Sequence, residues 1–344
     1  MRKRFQQKAM ASIRDVARLA GVSVSTVSRV INRRGKASKA TEERVWKAIE
    51  ALQYRPNLLA RSLRNQKTRL LGLLVPDIDS PFFARLAKHI EEAAYRKGYN
   101  LILCNVGEDP KRERDYLEIL IQRQVEGIIL LRVSDESLLF RIPHFSKIPY
   151  VVLDRTLQKE EAPTVKLDNI AAGALAATHL LKLGHRKFAC ITGPQKISVS
   201  RERLEGFLTI LIQAGIPPKD IFVVEGDFKI DGGRKGMEKV LGHFLPPFAL
   251  FCMNDMMAFG AIQVAKERNW QVPEDISVVG LDNNPLCEVF SPPLTTVAQP
   301  FDQIAKAGIA LLCKLIEGKR VRKKSIAVPP YLVIRQSTAP PRKQ

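Results

Sequence analysis

Between residues 70 and 282 the sequence alternates apolar runs with helical patterns, and this alternation limits the possible folds more than any other feature. The apolar runs are LLGLLVPD, NLILCNV, GIILLRV, YVVLD, FACITG, FVVEGD, ALFCMND and SVVGLD. Each run has the length of a buried strand, and helical segments separate most of them, which is the pattern of βαβ units. We therefore predict an α/β fold of parallel sheets with right-handed crossovers, built as two similar subdomains.

The net charge of the chain is distributed unevenly. Of the total of +20, residues 1–69 carry +14, from 18 Lys and Arg against 4 Asp and Glu, and residues 318–344 carry +8. The long middle part, residues 70–317, is nearly neutral at −2. A basic head on a near-neutral body is typical of a nucleic-acid-binding domain attached to a sensing or catalytic domain.

The head has the sequence pattern of a helix-turn-helix. Ser12 and Asp15 fit a capping box at the start of a first helix, and a glycine ends that helix. Ser23 can cap a second helix through VSTVSRVIN, and a third helix near residues 40–52 would complete a three-helix core. The pattern predicts a small all-α DNA-binding domain over residues 12–56.

The second helix carries side chains that suit base reading. Its apolar residues lie in one narrow arc, and at 100° per residue Ser25, Arg29 and Asn32 fall on the opposite face. An arginine can bind guanine O6 and N7 with two hydrogen bonds, and short polar and amide groups read other base edges in the major groove. The alternative is an ordinary polar face of a surface helix, because helix-turn-helix patterns alone give false positives.

Two motifs together point to a family. SIRDVARLAGVSVSTVSRVIN, followed by YRPNLLARSL, resembles the N-terminal signature of the LacI/GalR transcriptional regulators, and the resemblance extends over roughly residues 11–338. It implies that operator bases are read by Val24, Ser25 and Arg29. Residues 1–11 form a basic extension, and 1–9 of it have no counterpart in the family pattern: they are either an extra arm or the product of an upstream start codon. The residues that we expect to contact DNA are Ser12, Val24, Ser25, Thr26, Arg29, Asn32, Asn57, Ala60 and Leu63.

The resemblance also assigns the rest of the chain. It implies a two-lobed, periplasmic-binding-protein-like core with crossovers near residues 170, 299 and 330. The expected N-terminal subdomain is 70–170 plus 300–329, and the expected C-terminal subdomain is 171–299 plus 330–338.

Residues 57–69 are expected to be a hinge that is disordered when free and helical on DNA. In a dimer, two such helices could pair in the minor groove, with Leu63 wedged between base pairs so that the duplex kinks. A linker helix packed permanently on the body is the alternative that the residues themselves leave open.

Enzymatic chemistry has no support in the sequence. DGGRKG (231–236) fails as a dinucleotide fingerprint, and EGKRVRKKS (317–325) fails as a phosphate-binding loop. There is no zinc-protease motif, nucleophile elbow or Cys/His cluster, so we expect no catalytic residue, metal or cofactor. The start MRKRFQQKAMASIR lacks the apolar run of a signal peptide, and the scattered cysteines suit a reducing compartment, so we expect a cytoplasmic protein.

Polar residues follow several of the predicted strands, where open α/β sheets bind ligands. The family resemblance places Phe82, Arg203, Phe228, Asn254, Asp282 and Gln299 in an effector cleft, and Phe83 and Asp154 less securely. Arg203 and Asp282 suit vicinal hydroxyl groups, and the two better-placed phenylalanines can cover the apolar face of a sugar ring. Purine-sensing relatives carry polar groups where Ile197 and Val199 stand, which favours a monosaccharide.

The expected function is therefore a DNA-binding transcriptional regulator, a repressor whose operator affinity depends on a small ligand. The C-terminal QSTAPPRKQ has no leucine heptads, so we expect a homodimer on a palindromic operator rather than a tetramer. The alternatives are the same fold sensing a purine or a protein corepressor, a solute-binding protein, and a carbohydrate-metabolising enzyme. A sequence-neutral architectural DNA binder is a further, weaker alternative.

Overall fold

The structure is a computed structural model that describes residues 11–31, 37–54, 67–107, 109–131, 147–154, 163–321 and 325–342. The chain divides into two compact units, Met1–Thr68 and Arg69–Gln344, which we call the head and the body. Four of the residues expected at the DNA lie outside the described residues, namely Asn32, Asn57, Ala60 and Leu63. Most of the expected N-terminal extension and hinge also lies outside them.

The head contains the three predicted helices, α1 (Ile13–Ala20), α2 (Val24–Ile31) and α3 (Lys39–Ala51). They enclose a small core of Val16, Ala17, Ala20, Val27, Val30, Val45 and Ala48. The predicted capping box is present at the start of α1. The Asp15 carboxylate accepts hydrogen bonds from the Ser12 amide at 2.9 Å and the Ser12 hydroxyl at 2.6 Å. Gly21, with φ of 63°, ends the helix in the left-handed conformation that glycine adopts without strain.

The body contains two sheets and the helices that cover them. Its strands are β1 (Leu70–Val75), β2 (Asn100–Asn105), β3 (Gly127–Leu131), β4 (Tyr150–Leu153), β5 (Thr164–Leu167), β6 (Phe188–Thr192), β7 (Ile221–Glu225), β8 (Phe248–Cys252), β9 (Ile276–Asp282), β10 (Thr295–Ala298), β11 (Ser325–Val328) and β12 (Tyr331–Val333). Its helices are α4 (Pro81–Arg96), α5 (Pro110–Gln122), α6 (Asn169–Lys182), α7 (Ser198–Gln213), α8 (Ile230–His243), α9 (Asp255–Glu267), α10 (Leu286–Val289) and α11 (Phe301–Ile316). A short 3₁₀ turn, Pro218–Asp220, precedes β7.

The strand order shows two similar six-stranded sheets, so the predicted fold class is confirmed. One sheet has the order β11-β5-β4-β3-β1-β2 and is parallel throughout. The other has the order β12-β10-β9-β8-β6-β7, in which only β12 is antiparallel to its neighbour. We call the first sheet with α4, α5 and α11 the N-lobe, and the second with α6–α10 the C-lobe. The chain crosses between the two sheets after β5, after β10 and between β11 and β12.

Both faces of the N-lobe sheet are buried, which explains why its strands are continuous apolar runs. Along β1, Leu73 lies in the core shared with α4 and α11, and its neighbour Leu74 lies in the core shared with α5. The C-lobe has one large core around β6, β8 and β9. No helix within the described ranges is long and apolar enough to cross a membrane.

Glycines allow two pairs of C-lobe helices to pack with their backbones in contact. A Cβ atom on Gly173 of α6 would lie 2.0 Å from the Arg203 carbonyl oxygen, and one on Gly206 of α7 would lie 1.9 Å from the Ile170 carbonyl oxygen. Gly233 of α8 meets the backbone of α9 in the same way. Gly233 of DGGRKG therefore serves helix packing.

The C-terminal segment is fixed to the C-lobe by a buried polar cluster. The Ser337 carbonyl oxygen accepts the Val278 amide of β9 at 2.7 Å, and the Ser337 hydroxyl donates to the Val278 carbonyl oxygen at 2.6 Å. Ring nitrogens of His179 and His185 bond the Thr338 hydroxyl and the Ala339 carbonyl oxygen, each at 3.0 Å. Burial lowers the pKa of both histidines, so they lie here as neutral hydrogen-bonding groups.

Candidate functional site

The α2 helix presents two of the expected DNA-reading side chains to solvent. Ser25 and Arg29 are exposed, whereas Val24 and Thr26 are half-buried. The Arg29 guanidinium makes long hydrogen bonds of 3.4 Å to the Ser25 carbonyl oxygen and to the Thr26 hydroxyl. These weak bonds hold Arg29 along its own helix, and they can be exchanged for a base edge at little cost.

Two serines cap the first two helices of the head. The Ser23 hydroxyl accepts the Thr26 amide at 3.1 Å and so caps α2. The Ser12 side chain is engaged in the capping box of α1, where its hydrogen bonds lower the pKa of Asp15. Ser12, one of the residues expected to contact DNA, therefore has a clear role in starting α1.

A cleft opens at the carboxyl ends of the strands, between the two lobes of the body. The space between its lining atoms is about 420 Å³, including the part open to solvent. The lining residues are Ser80, Phe82, Phe83, Asp154, Val199, Arg203, Phe228, Asn254 and Asp282. The structure thus brings seven of the eight expected effector residues to one cavity, and Gln299 lies directly behind them.

The N-lobe wall of the cleft is aromatic. Ser80 ends the loop after β1, and Phe82 and Phe83 follow in the first turn of α4. Their ring centroids are 4.9 Å apart in an edge-to-face arrangement, and Phe82 also packs at 5.6 Å on Phe301. This packing fixes the rings where an apolar ligand face could lie against them.

The C-lobe wall contains a buried arginine. Arg203 on α7 is 3% exposed, and its guanidinium donates to the Asn169 side-chain oxygen at 2.9 Å and to the Met253 carbonyl oxygen at 2.7 Å. A planar guanidinium held at two of its nitrogens has a fixed orientation. It can therefore present a defined donor edge to a ligand.

A buried carboxyl group accompanies Arg203. Asp282, at the end of β9, accepts a hydrogen bond from the Gln299 amide nitrogen at 2.7 Å. Burial raises the pKa of Asp282 to about 8, and the charge of Asp154 adds to the rise, while Arg203 and Gln299 oppose it. Gln299 is not part of the lining. It orients Asp282 from behind.

Asn254 is held by the protein on both sides of its amide. Its oxygen accepts the Met257 amide at 2.9 Å and so caps α9, and its nitrogen donates to the Phe228 carbonyl oxygen at 2.7 Å. Phe228 in turn covers Gly193, where a Cβ atom would lie 2.0 Å from the ring. Asn254 therefore fixes the position of the Phe228 wall.

Three lining residues have left-handed backbones, with φ of 76° at Asp154, 65° at Phe228 and 117° at Asp282. Residues other than glycine rarely adopt such φ angles, and these angles persist where surrounding contacts enforce them. Their concentration in one cleft indicates that the directions of these side chains are maintained at the cost of backbone strain.

Asp255, the residue after Asn254, lies behind the cleft. It is 1% exposed and accepts the Asn284 amide and the Thr296 hydroxyl, both at 2.6 Å. Burial raises its pKa to about 6. Asp255 therefore fixes the loop that follows Asp282 at the end of β9.

Comparison with known proteins gives two matches to families. Residues 12–57 match the bacterial regulatory proteins of the lacI family, and residues 177–338 match a periplasmic binding protein-like domain. The chain is also 37% identical, over 95% of its length and 99% of the relative, to the transcriptional repressor PurR of Aliivibrio salmonicida. The chain belongs to the lacI family.

The solved structures agree with this membership. The lac repressor dimer bound to operator and the anti-inducer ONPF superimposes with a TM-score of 0.85 and 28% identity, covering 96% of this chain and 99% of that one. A lacI-family regulator from Enterococcus faecium with bound ribose has a TM-score of 0.70 and 31% identity, covering 79% and 99%. As a family member, the chain is a DNA-binding transcriptional repressor and not an enzyme. Among the described residues, no group of acidic, histidine and cysteine side chains could hold a metal ion.

Proposed function

We propose that the effector of this repressor is a neutral monosaccharide of pentose size. The cleft carries two acidic side chains, Asp154 and Asp282, and the buried Arg203. Hydroxyl groups can donate to the carboxylates and accept from the guanidinium, while Phe82 and Phe228 cover the ring. The related ribose-bound regulator supports this choice.

The same charges disfavour an anionic ligand such as a sugar phosphate. Such a ligand would bring its charge close to Asp154 in a poorly solvated space, where like charges repel strongly. A purine is the second candidate, because a relative is the PurR repressor. The apolar Val199 in the lining removes one polar partner that a purine base could use.

The proposed mechanism is a population shift in a cytoplasmic homodimer bound to a palindromic operator. The ligand binds residues of both lobes, so it favours the closed arrangement of the body over the open one. The change in lobe orientation alters how the two heads are spaced and hence the operator affinity. A useful switch needs about 1–3 kcal/mol of coupling between the two sites.

Thermal-shift screening of the full-length protein tests the effector. D-ribose and D-xylose are compared with D-ribose 5-phosphate, hypoxanthine and guanine. A ligand at 100 times its dissociation constant should stabilise the body by roughly 2.7 kcal/mol. Stabilisation by a neutral sugar alone is the expected result. Stabilisation by a purine or by the phosphate instead would contradict the proposal.

Selection from a random-sequence duplex library tests the DNA partner. The expected product is a palindrome whose half-sites lie about one helical turn apart. Binding that shows no sequence preference, with and without ligand, would leave only contacts to phosphates and would reject the regulator mechanism.

A further inference from the structure

The first crossover between the lobes carries an ion pair that no ligand would touch. Lys166 lies on β5 of the N-lobe, and its Nζ is 2.6 Å from Oε1 of Glu202 on α7 of the C-lobe. The side chains are only 19% and 22% exposed, so water screens this pair less than a surface pair. The pair therefore connects the two lobes directly at the point where the chain passes from one to the other.

Glu202 also contacts the residue that orients the cleft arginine. Its second oxygen, Oε2, accepts the Asn169 side-chain nitrogen at 3.3 Å. The Asn169 side-chain oxygen accepts the Arg203 guanidinium at 2.9 Å, and Asn169 itself is 1% exposed. A continuous set of polar contacts thus runs from β5 of the N-lobe to the guanidinium in the effector cleft.

Two of these contacts cannot adjust independently of each other. Asn169 is the first residue of α6, and the close backbone packing at Gly173 and Gly206 holds α6 against α7. Asn169, Glu202 and Arg203 therefore move as one body with the C-lobe. A change in lobe orientation must act on the remaining contact, the one between Lys166 and Glu202.

We propose that the Lys166–Glu202 ion pair, acting through Asn169, couples effector binding at Arg203 to the relative orientation of the two lobes. This inference rests on the proposed function. A separated pair leaves the partly buried Glu202 carboxylate with the Asn169 nitrogen as its remaining partner, so the Asn169 side chain shifts with it and the guanidinium loses its fixed orientation. Conversely, a ligand that engages Arg203 favours the lobe orientation in which the pair is formed.

Operator titration with and without D-ribose tests the coupling in the full-length dimer. Lys166→Met removes the cation, and Glu202→Gln removes the anion while keeping the shape of the side chain. A fraction of irreversibly misfolded protein lowers both apparent operator affinities by the same factor, so it cancels in the ratio of affinities with and without sugar. We expect this ratio to fall by about 5-fold or more in both variants, out of a total coupling of roughly 5–150-fold.

The matched control is an ion pair within the C-lobe. Arg234 and Glu267 join α8 to α9 with hydrogen bonds of 2.9 and 2.8 Å, so Glu267→Gln removes a charge without touching a crossover. Glu267→Gln should leave the ratio of operator affinities with and without sugar unchanged. A wild-type ratio in both Lys166→Met and Glu202→Gln would overturn the proposal. If wild-type protein does not respond to D-ribose, the effector assignment fails first.

A second measurement needs no ligand. The Asp168 amide of the crossover donates to the Val328 carbonyl oxygen at 2.9 Å. Lys166→Met should raise hydrogen exchange at this amide and in the first turn of α7 several-fold relative to Glu267→Gln. Equal exchange in the two variants would show that the pair does not restrain the crossover, whatever the effector proves to be.

Discussion

Arg29 in the head and Arg203 in the body are both guanidinium groups placed to bind a partner, yet their surroundings differ. Arg29 is exposed and rests on its own helix through bonds of 3.4 Å. Arg203 is 3% exposed and is held at 2.9 and 2.7 Å by groups from elsewhere in the C-lobe. In the head, Arg29 is placed for binding and adds little to stability, whereas in the body Arg203 serves both binding and stability.

The largest expected effect follows from removing the buried arginine. Arg203→Ala leaves the buried Asn169 side-chain oxygen and Met253 carbonyl oxygen without their donor, so the free energy of unfolding of the body should fall by about 3–5 kcal/mol. Urea denaturation in a Trp46→Phe background measures this, because Trp270 then reports on the body alone. Arg234→Ala, at an exposed ion pair, should cost no more than about 1 kcal/mol. Equal losses of unfolding free energy in Arg203→Ala and Arg234→Ala would contradict the distinction between buried and exposed arginines.

The close helix packing beneath Arg203 should be nearly as sensitive. Gly173→Ala places a methyl group against the Arg203 carbonyl oxygen and should destabilise the body by about 2–3 kcal/mol. Gly242→Ala in α8 meets nothing within 4 Å and should stabilise it by about 0.5–1 kcal/mol. The same urea titration compares them. If Gly173→Ala leaves the free energy of unfolding unchanged, α6 and α7 do not move as one body.

In the head, the expected loss is in binding alone. Arg29→Ala should weaken operator binding by about 1–3 kcal/mol because a base contact is removed. The free energy of unfolding of the Arg29→Ala variant should stay within about 0.5 kcal/mol of the wild-type value. Arg18→Ala on α1 is the matched control, and it should weaken operator and random duplexes equally. A loss for Arg29→Ala that is also equal on both duplexes would mean that Arg29 contacts only phosphates.

The remaining expected effect is a dependence of the stability of the body on pH. The pKa of Asp282 is about 8 in the folded protein and roughly 3.9 in an unfolded chain, so the folded state holds an extra proton between about pH 4 and pH 8. Stability should therefore fall as pH rises through this range, by up to ~1.4 kcal/mol per pH unit. Asp282→Asn should remove the slope between about pH 6 and pH 8, above the pKa of Asp255, and Asp302→Asn on the exposed face of α11 should not. An unchanged slope in Asp282→Asn would place the titration elsewhere.

Local patterns in the sequence predicted the head well. The capping box, the glycine that ends α1 and the three amphipathic helices depend on residues within a few positions of each other. The long apolar strands of the body were predictable for the same reason. The strands β5, β10, β11 and β12 were not predicted, because they have only three or four residues and owe their conformation to neighbours distant in sequence.

The cleft was predictable only in part. Family resemblance named the lining side chains, and strand ends indicated where they would meet. No local pattern marks Lys166, Asn169 and Glu202, because their contacts depend on how α6 packs on α7. Nor does any pattern distinguish Asp282, in the lining, from Asp255 behind it. Both follow buried strands, and only the tertiary structure separates their roles.

The three passages of the chain between the sheets affect how the protein is made. The N-lobe sheet is incomplete until β11 is added, and the C-lobe sheet is incomplete until β12 and the segment around Ser337 are in place. On the ribosome, the head can fold early because it is local and contiguous. The body must wait until β12 and Ser337 have been synthesised, so nascent chains expose its unfinished β-sheets until then.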